Sequence, residues 1–240
     1  MADRPFLTAE WRNLLMVNYA VEPTLLEPHV PAGTGLDMHQ GTCYLSLVAF
    51  QFRNTRLLGM TIPFHHTFEE MNLRCYVRRQ VGGETRRAVV FIREVVPRRA
   101  IALVARAVYN EPYIALPMRS RIGGEPLRVE YSWRLGGLWH SVAASAAGAA
   151  AATAEGSQEQ FITEHYWGYT RQRDGGTIEY RVEHPPWRVW PADRVQLDAD
   201  LERLYGPALA RAMTSATSAF IADGSAVSVS RPRRLPMVPT

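Results

Sequence analysis

Apolar and polar residues alternate along most of this chain, and glycines interrupt the alternation, a pattern that predicts strands joined by tight turns. Residues 44–52, YLSLVAFQF, are apolar on both alternating faces, as expected of a strand covered on each side. Residues 69–79 and 85–95 read as a hairpin turning through Gly82-Gly83. Pro97 then opens a helix over 98–110, with Ile101, Val104, Ala105 and Val108 on one stripe. Further strands are expected over 113–122, 129–134 and 138–144, the last two joined at Gly136-Gly137.

Shorter signals fill the remainder. Pro23 suits the first turn of a short helix that must stop by Pro31. The Ala-rich run 143–154 has helix propensity, yet Gly148 and a poor amphipathic pattern favour a strand that frays into a loop. Ser157 and Gln160 form a capping box for a helix through Ile162. Residues 166–172 and 177–182 pair across Asp174-Gly175-Gly176. Residues 198–205 and 207–214 read as helices, and a last strand, 226–230, precedes a basic, Pro-rich tail over 231–240. Neither a repeat nor a long linker divides the chain. One mainly β domain over 1–240 is expected, either α+β with antiparallel strands or a closed barrel.

The strand at 69–77 carries the densest chemistry. Met71, Leu73, Cys75 and Val77 share one face, whereas Glu70, Asn72, Arg74 and Tyr76 share the other. An acid, an amide, a guanidinium and a phenol in one row supply what a polar pocket needs. The competing reading is a solvated outer face, although mid-strand Asn is disfavoured. Arg78, Arg79, Arg86 and Arg87 flank the hairpin turn and read as a hydrated tip that discourages aggregation, or as a phosphate site.

His165 could transfer protons at neutral pH, or be a packed core histidine. Glu164 cannot easily orient it, since adjacent strand residues point to opposite faces. Around Pro185-Pro186 stand His184, Trp187 and Trp190, with Arg188 able to stack on an aromatic face or the whole group to pack a rim. His65-His66 lacks the spacing of a metal pair, so no metal and no cofactor are expected. Hydrolase-elbow, Walker and dinucleotide-loop motifs are missing.

Composition adds two points. The formal charge is +4 and the chain contains no lysine, so arginine carries every permanent positive side-chain charge. No RNA-recognition or helix-turn-helix pattern accompanies those arginines, so nucleic acid is not expected as a partner. Cys43 and Cys75 lie in apolar segments and read as buried thiols. With no apolar signal core near the start and no stretch of ~20 apolar residues, a cytoplasmic location without a membrane partner is expected.

Several segments together resemble the YqjF-like family, bacterial proteins of unassigned function with an acetoacetate decarboxylase-like fold. They are Val17-Asn18-Tyr19 to Leu25 with Val30-Pro31, then residues 68–77, Ala105 to Tyr109 with Pro112-Tyr113, residues 161–166, and Glu183 to Trp187. The resemblance implies a closed antiparallel β-barrel with a few peripheral helices and a ligand-sized interior. In such a barrel Glu70, Asn72, Arg74 and Tyr76 line the cavity or its mouth, with Arg106, Tyr109 and Tyr113 as neighbours.

Acetoacetate decarboxylase uses a lysine of depressed pKa to attack a ketone. This chain has none, so the resemblance carries the fold and not the reaction. The expected partner is an anionic or oxo-acid-like small molecule held by Arg74 or Arg106. Glu70 or His165 is the proton-transfer group if the protein is a lyase- or isomerase-type enzyme. The alternative is a non-catalytic binder or sensor. Self-association stays open.

Overall fold

The computed structural model describes residues 5–236. The strands are β1 (Leu7–Val21), β2 (Gly35–Leu36), β3 (Cys43–Leu57), β4 (Met60–Thr61), β5 (Phe68–Val81) and β6 (Glu84–Val96), then β7 (Tyr113–Ala115), β8 (Met118–Gly123) and β9 (Arg128–Leu135). They continue as β10 (Leu138–Ala146), β11 (Ala151–Ala152), β12 (Trp167–Arg171), β13 (Thr177–Glu183), β14 (Arg188–Asp198), β15 (Ser218–Val229) and β16 (Arg233–Arg234). The helices are α1 (Pro23–Leu26), α2 (Arg99–Tyr109), α3 (Gln158–Thr163), α4 (Leu201–Tyr205) and α5 (Pro207–Ala212).

The fold is mainly β, as the alternation implies, with differences that have local causes. The strand expected over 113–122 is two, because Pro117 has no N–H to give a ladder. Asp198 ends β14 instead of opening a helix, and β15 starts eight residues before the expected 226. The long β1 has no counterpart in the alternation. Leu15 and Val17 pack on one side and Leu14 and Met16 on the other, so burial of both faces erases the period. In the capping box, the Ser157 hydroxyl accepts from Gln160 N at 3.1 Å, but the Gln160 side chain accepts from Gly156 N rather than from the cap residue.

Strand pairing runs β13-β12-β6-β5-β3-β1-β15, and β13 also pairs with β15 through Val182↔Val229 and Glu183↔Ser228. These seven strands therefore form a circuit of pairings. The sheet continues from β15 into β14, β10, β9 and β8. Two pairings are parallel, β6 with β12 and β6 with β7, the latter reached by the crossover helix α2. The antiparallel expectation fails at those two places.

The core has two sides. Leu15, Leu45, Leu47, Leu73 and Cys75 pack against Tyr131, Trp133 and Val142 of the β9–β10 layer. Met16, Val48, Phe50, Val89 and Phe220 face the opposite side, where Phe161, Ile162 and Ala102 of the helices close over them. Close packing fixes one glycine: a Cβ on Gly224, whose φ is +77°, would lie 2.0 Å from the Trp11 carbonyl.

Candidate functional site

Alternation along β5 sets the site. Met71, Leu73, Cys75 and Val77 join the first side of the core, and Glu70, Asn72, Arg74 and Tyr76 are all buried on the second. The solvated-face reading is thereby overturned. Opposite them, a register irregularity between Leu73 and Arg74 pairs Asn72 with Glu94 but Arg74 with Phe91. A bulge of this kind inserts one unpaired residue and flips the facing of the residues beyond it. Phe91 and Glu94, three residues apart, consequently line the same cavity.

Helix α2 delivers the third carboxylate. Its C-cap, Asn110, is left-handed at φ 56°, which turns Glu111 and Tyr113 inward, and the parallel β6–β7 pairing sets Tyr113 opposite Glu94. Tyr113 Oη donates to Glu70 Oε2 at 3.0 Å and Asn72 Nδ2 to Glu70 Oε1 at 3.2 Å. Thr170 Oγ1 and Tyr180 Oη donate to Glu111 Oε1 at 2.6 and 2.7 Å. Tyr180 reaches that point because residue 168 is glycine; a Cβ there would lie 2.2 Å from the Tyr180 ring.

Three buried carboxylates so close together cannot all be charged. Burial pushes the Glu70 pKa up to about 7, against hydrogen bonds from Asn72 and Tyr113 that favour the anion. Burial, with repulsion from Glu111 and Glu70, puts Glu94 well above the usual carboxylate range. Burial raises Glu111 too, with Glu94, Thr170 and Tyr180 holding the rise in check. Oε2 of Glu94 and Oε2 of Glu111 are buried without a hydrogen-bond partner, which further disfavours charge on them. The cluster therefore retains protons at neutral pH.

Arg74 stands on the same face as Glu70, about 13 Å further along the strand by backbone rise. Its Nη2 donates to the Ile162 carbonyl at 3.0 Å and its Nε to Tyr76 Oη at 3.3 Å. Among the described residues no carboxylate forms an ion pair with it. A polar row crosses four strands behind it: Tyr76 Oη donates to Ser46 Oγ at 2.8 Å, Ser46 Oγ to Asn18 Oδ1 at 2.6 Å, and Asn18 Nδ2 to Ser218 Oγ at 3.1 Å. These partners fix Tyr76, and Tyr76 helps fix the guanidinium.

His165 is buried against Tyr76 and Phe161, with ring centroids 4.7 and 5.0 Å away. Its orienting carboxylate is Asp37, at 3.2 Å from Nε2, and Arg87 Nε binds the same Asp37 oxygen at 2.8 Å. Burial works against the Asp37 charge, but hydrogen bonds from His165 and Arg87 outweigh it and the pKa falls below the usual value. Burial lowers His165 to about 4 despite the Asp37 bond. Neutral His165 therefore carries its proton on Nε2, and its buried Nδ1, which has no partner, is an acceptor.

These groups meet at a cavity of about 230 Å³. Glu70, Arg74, Glu94, Glu111, Tyr113 and His165 contribute to its wall, together with Phe52, Phe68, Trp11, Trp187, Ile101 and Val104. Of the expected residues, Glu70, Arg74, His165, Tyr109 and Tyr113 reach the cavity, and Asn72 and Tyr76 support them from the same row. Arg106 does not: it is exposed on α2 and donates to the Tyr113 carbonyl at 2.6 Å.

Of the hairpin arginines only Arg78 is exposed; Arg79, Arg86 and Arg87 are partly buried in ion pairs instead of forming a hydrated tip. Arg79 and Arg86 pair with Glu179 at 3.4 and 3.0 Å, and Arg86 lies over the Trp167 ring. Arg188 bonds to the Ala150 carbonyl at 2.6 Å, whereas His184 is the group that stacks on Trp187, at 4.1 Å. Glu94, Glu111 and Asp37 escape sequence reasoning. The one signal for Glu94 is a carboxylate between Ile92 and Val95-Val96.

A family model described as an uncharacterized conserved protein, DUF2071, matches residues 8–226. The chain belongs to the DUF2071 family. It is 27% identical over 185 residues to the uncharacterized protein YqjF of Bacillus subtilis, a match covering 76% of this chain and 74% of that protein.

Solved structures share its fold at low identity. Acetoacetate decarboxylase from Legionella pneumophila superposes with a TM-score of 0.66 at 11% identity, over 98% of this chain and 88% of that one. The enduracididine biosynthesis enzyme MppR complexed with pyruvate gives 0.66 at 11%, over 98% and 92%. An acetoacetate decarboxylase-like enzyme from Sphingomonas wittichii gives 0.63 at 13%, over 99% and 95%. The acetoacetate decarboxylase-like fold is thus shared across nearly the whole chain.

Proposed function

We propose that the seven-strand circuit acts as a closed barrel whose cavity binds a small amphipathic carboxylate, such as an oxo acid, and moves a proton on it. The observation that carries this reading is Arg74, a buried guanidinium that faces the cavity and forms no ion pair with a carboxylate among the described residues. A buried cation is expensive without a counter-ion, and an anionic ligand head would supply one. Glu70 lies along the same wall with a pKa near the operating pH, where a general acid or base works best. The apolar wall of Phe52, Phe68, Trp11 and Trp187 suits the remainder of the ligand.

No lysine exists to form a Schiff base, so the chemistry runs without a side-chain amine. In the proposed step, ionised Glu70 takes a proton from the carbon beside a carbonyl, and the electron pair moves to the carbonyl oxygen as an enolate. Return of a proton to the same carbon completes a hydrogen exchange, and return to the oxygen gives the enol tautomer. Fold relatives that include a pyruvate complex of MppR are consistent with an oxo-acid ligand.

The test is hydrogen exchange at C3 of 2-oxooctanoate in deuterium oxide, monitored by NMR. Exchange accelerated by the wild-type protein and abolished in Glu70→Gln supports catalysis. The apolar wall favours a second reading, a binder without turnover. Retained 2-oxooctanoate binding with no accelerated exchange in the wild type selects it.

A further inference from the structure

The cavity opens through a patch that is both apolar and basic. Ile62 and Val104 line the cavity yet are 42% and 40% exposed, which puts the segment after β4 and the helix α2 at its mouth. Beside them Phe64, Leu103 and Met60 are 82%, 68% and 67% exposed. Large exposed apolar side chains scattered singly need no explanation, but these adjoin cavity-lining residues in the chain, Met60 and Phe64 two residues either side of Ile62 and Leu103 next to Val104. Phe64 also holds a left-handed backbone, φ 64°, that a bulky aromatic rarely adopts.

Charge decides what covers the patch. Residues 53–67 contain Arg53 and Arg56, and residues 97–110 contain Arg98, Arg99 and Arg106; neither segment has an aspartate or glutamate. Arg56, Arg98 and Arg99 are exposed. A second copy of the chain would set arginines against arginines. An anionic bilayer offers headgroups to the arginines and an acyl boundary to Phe64 and Leu103.

We infer that this mouth docks on an anionic membrane surface, with the cavity opening toward the lipid. Among the described residues no helix is long and apolar enough to cross a membrane, and resting on a surface requires none. The lack of a spanning segment, on which the expectation of no membrane partner rests, concerns crossing a bilayer only.

Sedimentation of the full chain with vesicles tests this. Phosphatidylcholine vesicles are compared with vesicles of phosphatidylcholine and phosphatidylglycerol. The expected result is binding to the phosphatidylglycerol vesicles that weakens with salt. Each arginine at such a surface contributes about fivefold in affinity, so Arg98→Gln with Arg99→Gln weakens binding about 30-fold. Phe64→Ser with Leu103→Ser also removes most binding, and circular dichroism checks that both variants fold.

Equal or absent wild-type binding to the two vesicle types overturns the inference. So does a solution dimer, seen by light scattering, that Phe64→Ser with Leu103→Ser dissociates, since the patch would then serve a second copy.

Discussion

Tyr113 and Glu94 stand opposite each other in the parallel pairing of β7 with β6, and Tyr113 donates its phenolic hydrogen to Glu70. A single tyrosine thus ties together carboxylates from two strands, and a third, Glu111, enters two residues before it in the chain. The acidity of the cavity follows from this geometry: proximity and burial leave the cluster holding protons that exposed carboxylates would lose.

Stability should therefore carry a particular pH signature. The Glu70 pKa rises from 4.5 to about 7 in the folded protein. A raised folded value means the folded state binds more protons, so stability present below pH 4.5 is lost as pH rises through about 7. Glu70→Gln removes that loss, and the wild-type chain should fall by on the order of 3 kcal/mol relative to the variant across this window. Urea unfolding at pH 5 and pH 8 measures it; a difference that does not change with pH contradicts the assignment. The raised values of Glu94 and Glu111 have the same sign, so the variant keeps some slope.

His165 should behave in the opposite sense. Its folded pKa, about 4, lies below the ordinary 6.5, so its contribution is present above pH 6.5 and lost as pH falls through 4. Nitrogen NMR should find a neutral ring with the proton on Nε2 throughout pH 5 to 8. Titration near 6.5 would contradict this. Asp37→Asn should release the tautomer, because an amide can donate as well as accept.

Gly168 is required by a neighbour and not by its own backbone. Gly168→Ala puts a Cβ into the Tyr180 ring and should cost roughly 1–3 kcal/mol through overpacking. Adding Tyr180→Ala should relieve part of that clash, giving a double variant less destabilised than the sum of the singles. Strict additivity in urea unfolding would show that the two residues do not press on each other.

What can be read from the sequence tracks how local each determinant is. The polar row of β5 is legible because alternation within one strand needs no knowledge of neighbours, and it leads directly to Glu70, Arg74 and their supports. Glu94 is not legible, because the bulge in β6 breaks the period that would have assigned its face. Glu111 and Asp37 depend on hydrogen-bond partners 50 to 128 residues away, which no local pattern encodes. Arg106 misleads for the converse reason: its place beside Tyr109 on α2 suggests a cavity position, but the helix turns it outward to the Tyr113 carbonyl. Strand β1 is hidden by burial on both sides.

The central claim is that Arg74 holds an anionic ligand head, and the most direct measurement is calorimetric binding of octanoate and of 1-octanol to wild-type protein and Arg74→Met. The account predicts that the wild type prefers the carboxylate, and that Arg74→Met weakens octanoate binding roughly 10- to 100-fold while leaving octanol nearly unchanged. Equal loss for both ligands, or none for octanoate, would contradict it.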